Sequence, residues 1–165
     1  MNPILYFAYG SNLLTSRLRG RVPSAHPLGA ARLKGFRLAW HKVGADGSGK
    51  CDIAEDPDSI VWGVLFEIDP AEMPSLDRVE GLGHGYETKF VSVTLAGTEV
   101  RAKTYQATRT DPDLRPWHWY KDLVLAGAVE HGLPFSHVQA IRDIKATPDP
   151  DSTRGSNGEA RLKPE

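Results

Sequence analysis

One cysteine, Cys51, stands among 165 residues. An internal disulfide therefore has no second partner, and a metal site built from several cysteines is excluded. So little cysteine fits a reducing compartment. No run approaches the ~20 apolar residues that a bilayer-spanning helix needs. The apolar start of the chain lacks a basic n-region and is interrupted at Ser11 and Asn12, so it is read as a first strand rather than a signal peptide. The expected location is the cytoplasm. Charge of one sign is missing as well. The formal net charge is -1, which supplies no electrostatic argument for nucleic acid or an acidic membrane as partner. Internal repeats are also lacking. What remains is the composition of a folded domain, 40% hydrophobic and 25% charged, at a length that suits one domain with a real core.

Hydrophobic patterning divides the chain into strands followed by helices. Residues 3–8 form a short apolar run that reads as a strand. Residues 13–19 allow one or two helical turns, with Leu14 and Leu18 on one face, Asn12 as N-cap and Gly20 as stop. Residues 31–43 read as a strand with mixed faces, and "GADGSGK" (44–50) as a turn or mobile loop. "CDIAED" reads as a short strand closed by Pro57. "IVWGVLFEI" (60–68) is the strongest strand, buried on both faces, with Gly63 marking a bulge or close approach. "DPAEMPSLDRVEGLG" predicts a short helix capped by Asp69, opened by Pro70, anchored by Leu76 and Val79, and stopped at Gly81 or Gly83. "YETKFVSVTL" and "EVRAKTYQA" alternate and predict a β-hairpin through 96–98. "WHWYKDLVLAGAVEHG" predicts a helix with Trp119, Leu123, Ala126 and Val129 on one stripe, and residues 135–146 a second, shorter one. The expected fold is α+β, with the strands curled into a small barrel. Residues 1–146 are expected to form a single domain. The segment 147–165, poor in apolar residues, is expected to be a disordered tail.

Two places could carry chemistry. The first is "YFAYGSNLL" (6–14), where a strand breaks at Gly10-Ser11-Asn12 before a helix start. Such a turn is either a plain connection or a set of free N–H donors able to hold a carboxylate or oxyanion, with the Ser11 and Asn12 side chains adding hydrogen bonds. The second is Glu80, late in a short helix before a glycine-rich turn. The negative end of a helix disfavours an ionised carboxylate, which suits a proton shuttle near neutral pH. The ordinary alternative is a surface glutamate, and Asp77 competes as the base. Other motifs fail their context. Gly81–Gly83 precedes a strand, which removes a dinucleotide reading. The histidines lack metal-ligand spacing, and His84 reads as solvent-facing. Ser11 lacks the G-x-S-x-G elbow of a serine hydrolase. Tyr9, Tyr86 and Tyr120 could line a pocket or be core. Cys51 reads as a buried or incidental thiol.

Taken together, "YFAYGSNLLTSRL", "ARLKGFRLAW", "VWGVLFEI", "SLDRVEGL…GY" and "YKDLVLAGAVEHGLP" resemble the γ-glutamylcyclotransferases over residues 4–146. The resemblance implies a small mixed β-barrel with flanking helices. It also implies an intramolecular reaction, in which the α-amine of a γ-glutamyl group attacks its own γ-carbonyl and releases 5-oxoproline and an amine or amino acid. By position Glu80 matches the catalytic acid/base of that family. Tyr9, Gly10, Ser11, Asn12 and Leu13 match its substrate-cradling loop, and Tyr86 and Tyr120 match tyrosines near the pocket. No cofactor and no metal are implied. The expected partner is a small γ-glutamyl substrate, and the resemblance leaves a homodimer open. Asp52, Glu55 and Asp56 depart from the expected apolar character of their segment and could alter the leaving group accepted. Two alternatives belong to other classes: a non-catalytic binding domain for a γ-glutamyl or carboxylated ligand, and a hydrolase that releases glutamate.

Overall fold

The computed structural model describes residues 2–151 together with 153 and 154. Five strands, β1 (Ile4–Ala8), β2 (His26–Val43), β3 (Gly49–Ile68), β4 (Tyr86–Leu95) and β5 (Thr98–Ala107), close into a barrel in the order β1-β3-β2-β4-β5. Neighbours are antiparallel except β1 and β5, which run parallel and meet at Tyr6 and Lys103. The barrel is therefore mixed. Helices α1 (Thr15–Arg19), α2 (Met73–Glu80), α3 (His118–Glu130) and α4 (Phe135–Asp143) flank it, and the α+β expectation holds. None of the described helices is long and apolar enough to cross a membrane.

The two expected strands around Pro57 are one. β2 and β3 form a long hairpin whose pairing skips from Lys34↔Ile60 to Phe36↔Glu55. Residues 56–59 lie in that gap, so Pro57 owes the ladder no N–H. Asp56 closes the irregular stretch by accepting from the Asp58 amide at 3.1 Å and the Ser59 hydroxyl at 2.7 Å. Of the two readings of 44–50, a turn or a mobile loop, the turn holds, and it is braced. Ser48 is fully buried, and Asp46 accepts from its hydroxyl at 2.6 Å and from Lys50 Nζ at 3.0 Å. Gly63 is a close approach, as expected. A Cβ there would run into the Ala8 carbonyl and the Phe7 ring, so only glycine lets β1 close against β3. The β4–β5 turn is Ala96-Gly97, both at positive φ (48° and 82°), the two-residue geometry whose twist matches a hairpin.

The helices fit the expected caps less evenly. Asp69 caps the turn before α2 by accepting from the Ala71 amide at 2.9 Å, and Gly81 ends α2 in the left-handed region. Met73 and Leu76 anchor α2, whereas Val79 is exposed. Asn12 does not cap α1: it lies within the 3-10 turn of Ser11–Leu13, and Leu14 holds the N-cap position without a side-chain cap. The buried face of α3 is Tyr120, Leu123, Val124, Gly127 and Ala128, with Val129 outside. α3 is rotated from the expected stripe because Gly127 presses on the 11–13 turn. A Cβ at Gly127 would lie 2.5 Å from both Leu13 Cβ and the Leu14 nitrogen. The expected unstructured tail falls largely outside the described residues. Of its described part, Thr147 accepts from the His118 amide at 2.9 Å, and Asp149 accepts from the Trp119 indole at 2.8 Å.

Candidate active site

The turn after β1 is set by the end of the strand and by what surrounds it. Gly10 leaves room where a Cβ would meet Cys51 Cβ at 3.0 Å and the Tyr120 hydroxyl at 3.5 Å. Ser11–Leu13 then form one 3-10 turn, closed by Leu13 N–H onto the Gly10 carbonyl at 3.0 Å. Its first amides, those of Ser11 and Asn12, have no acceptor within the turn. Leu13 is fully buried under α3 and plugs the turn into the core.

Beside the turn lies a cleft lined by Tyr9, Gly10, Ser11, Asn12, Glu80, Tyr86 and Tyr120 together with Tyr6, Cys51 and Tyr105. Seven of the eight site residues expected from the sequence thus converge, and Leu13 alone does not reach the cleft. All five tyrosines of the chain line it. Burial pushes each hydroxyl above the ordinary tyrosine range, so they stay neutral donors. Most are anchored: Tyr9 donates to the Tyr105 carbonyl, Tyr86 to the Cys51 carbonyl at 2.7 Å, and Tyr105 to Asp77 at 2.6 Å. The Tyr120 oxygen accepts from the Cys51 amide at 3.0 Å. The Tyr6 oxygen accepts from Asn12 at 2.9 Å, which leaves the Tyr6 hydrogen for the cleft.

Glu80 is the last residue of α2 and reaches the turn. Asn12 Nδ2 donates to its Oε1 at 2.9 Å, and so does Arg21 Nη1 at 2.9 Å. Both bonds land on one oxygen; among the described residues Oε2 receives none. Arg21 also donates to Asn12 Oδ1 at 2.9 Å, so Arg21, Asn12 and Glu80 form a closed triangle. Its guanidinium opposes the negative helix end at Glu80. Asn12 spends its side chain within the protein, whereas Ser11 Oγ accepts from Arg17 at 3.0 Å, which does not use its hydroxyl hydrogen. The turn's contribution to a ligand is therefore its backbone and the Ser11 hydroxyl.

Asp77 points elsewhere. Its Oδ1 accepts from Lys103 Nζ at 2.7 Å as well as from Tyr105, so it braces a cleft tyrosine from behind. Asp52, buried beside Cys51, is held by His41 at 2.6 Å and the Ala107 amide at 2.8 Å. Neither Asp52, Glu55 nor Asp56 lines the cleft. Tyr6, Tyr105 and Arg21 escaped the sequence reading. Only Tyr6 carried a signal, by sitting in the same motif as Tyr9.

Glu80, held by the Asn12 and Arg21 side chains, thus lies in a cleft lined by five tyrosines. The AIG2-like family model matches residues 60–141, a span that includes Glu80, Tyr86, Tyr105 and Tyr120. A γ-glutamylcyclotransferase from Bos taurus is 36% identical over 154 residues, covering 86% of this chain and 78% of the relative. The chain belongs to the γ-glutamylcyclotransferase family. The Homo sapiens γ-glutamylcyclotransferase is 35% identical over the same shares. A solved γ-glutamyl cyclotransferase structure superposes with a TM-score of 0.86 at 31% identity, covering 93% of this chain and 96% of that one. In this member of the family, the triangle Arg21–Asn12–Glu80 ties the α2 end to the turn after β1.

Proposed function

We propose that this chain cyclises γ-glutamyl compounds to 5-oxoproline and a free amine or amino acid, with Glu80 as the general acid/base. The observation that carries this reading is the asymmetry of Glu80: Oε1 is locked by Asn12 and Arg21, while Oε2 is left for a substrate proton. The nucleophile of a five-membered ring closure is tethered to its electrophile, so the protein need only hold the chain folded and move protons. The Ser11 and Asn12 amides, which have no acceptor within the turn, receive a carboxylate or the developing oxyanion, and the Tyr6 hydroxyl can donate to the same charge. Glu80 Oε2 takes a proton from the substrate α-ammonium, freeing the lone pair. The amine then attacks the γ-carbonyl and the new C–N bond forms. Glu80 returns the proton to the leaving nitrogen as the old C–N bond breaks, then takes the second proton left on the ring nitrogen and passes it to the released amine. Substrate atoms and protons balance, with water consumed nowhere.

Product identity tests this. Incubation with γ-glutamyl-alanine is expected to give 5-oxoproline and alanine in equal amounts. Glutamate in place of 5-oxoproline would mean hydrolysis, and binding without turnover of any γ-glutamyl amine would mean a receptor. Asp77 is expected to behave as structure. Asp77→Ala strips the Tyr105 hydroxyl of its acceptor and Lys103 of its counter-charge, costing about 1–3 kcal/mol in thermal or denaturant unfolding. It is expected to leave far more 5-oxoproline release than Glu80→Gln does.

A further inference from the structure

A second chamber adjoins the tyrosine cleft, and the two share Ser11, Glu80, Tyr86 and Tyr120. What the second chamber adds is mainly positive charge, from Arg17, Arg21, Lys42 and Lys50. Glu80 is the single acid among its lining residues. The cations are not equally committed. Arg21 is paired with Glu80 at 2.9 Å. Lys50 is paired with Asp46 at 3.0 Å and lies over the rings of Trp119 and Tyr120. Lys42 differs. Among the described residues it makes no ion pair, and its Nζ lies 4.8 Å from the centroid of the Tyr86 ring. Burial lowers the pKa of Lys42, and the nearby charges of Glu80 and Asp46 offset this in part. A half-buried ammonium whose desolvation is compensated by no partner of its own is one that an anion would complete.

The geometry of the reaction says which anion. On the cyclotransferase reading, on which this inference rests, the scissile amide lies at Glu80, one of the residues common to both chambers. The γ-glutamyl part occupies the tyrosine cleft at the 10–12 turn. The leaving group is then placed beside the cationic chamber, which shares Glu80, Tyr86 and Tyr120 with the cleft. We infer that this chamber is a leaving-group subsite that selects γ-glutamyl compounds whose leaving group carries carboxylates, dianionic ones most, with Lys42 as the specificity-determining residue. One carboxylate meets Lys42, and a second, on an acidic side chain, lies in the positive field of Arg17, Arg21 and Lys50, which keep their charge although each already holds a partner. The cationic wall gains nothing from an amine whose leaving group is neutral, and it repels one that is positively charged.

The test is 5-oxoproline release from γ-glutamyl-glutamate, γ-glutamyl-alanine and γ-glutamyl-alaninamide, by the parent chain, Lys42→Met and Lys42→Arg. The parent is expected to rank them in that order by kcat/KM. Loss of the carboxylate in the amide should cost about tenfold or more, as for a charge-assisted hydrogen bond. The loss should fall in KM rather than kcat, because the carboxylate is bound equally before and during ring closure. Lys42→Met is expected to shrink the acid-to-amide ratio to within about threefold, and Lys42→Arg to restore most of it. Melting temperatures of both variants separate misfolding from lost selection. Release from all three substrates with no preference for the acids would overturn the subsite and leave the cyclotransferase reading intact. A preference that Lys42→Met does not change would overturn the role of Lys42. No 5-oxoproline from any of the three would overturn the cyclotransferase reading and the subsite with it.

Discussion

Replacing Glu80 by glutamine is expected to lower kcat for 5-oxoproline release from γ-glutamyl-alanine by about 10²–10⁴-fold, the usual contribution of a positioned acid/base. Glutamine is nearly isosteric, and its carbonyl oxygen can still accept from Asn12 and Arg21 where Oε1 now does. The amide nitrogen then stands where Oε2 stood, and it cannot take a proton. KM should change far less than kcat, because the groups expected to bind the glutamyl carboxylate, the turn amides, stay in place. The fold should survive. The Glu80–Arg21 pair is partly exposed, at 13% and 19% of the side chains. Weakening it should cost about 1 kcal/mol or less, a melting shift of about 2–4 °C or less for a chain of this size. Steady-state kinetics and a thermal melt on the same preparation check both halves. Undiminished release would assign the proton transfer to another group.

The sequence made some of this legible because the signals were local. Asp69-Pro70 opens a helix by chemistry confined to three residues, and Ala96-Gly97 turns a hairpin because both residues can adopt positive φ. The turn at 10–12 and Glu80 could each be singled out by their own neighbourhoods. What stayed hidden depends on residues far apart in the chain. Pro57 looks like a strand breaker until β2 supplies a register gap opposite it. Asn12 looks like a helix cap until the 3-10 turn takes it in and its side chain meets Glu80, 68 positions away. Arg21 has no motif at all, and it matters only because the end of α1 faces the end of α2. Tyr105 read as one more alternating strand residue until closure of β5 onto β1 carried it into the cleft. The rotation of α3 was invisible for a related reason. Its sequence is apolar on several faces, so the helix face is chosen by where a glycine is needed, at Gly127 against Leu13, and not by the apolar stripe.

That contact supports the second large effect. Gly127→Ala is expected to lower kcat/KM for γ-glutamyl-alanine by about 10–100-fold while costing little stability. The added Cβ would sit 2.5 Å from Leu13 Cβ and from the Leu14 nitrogen, much of it backbone that has no rotamer to escape into. Either the 11–13 turn or α3 must shift. The turn carries the Ser11 and Asn12 amides and the Asn12 side chain that locks Glu80. α3 carries Tyr120, which lines the same cleft. Both directions of relief therefore disturb the cleft, and a misplacement of about 1 Å at a reacting group can cost ~100-fold. Stability feels two opposed terms. Overpacking costs about 1–3 kcal/mol, whereas alanine for glycine in a helix interior returns about 1 kcal/mol. The net is a small melting shift beside a large kinetic loss, and kcat and KM should both move, in contrast to Glu80→Gln. Full activity with a lowered melting temperature would show that the turn is not positioned by α3. Loss of activity in step with loss of fold would show that the seat is structural only.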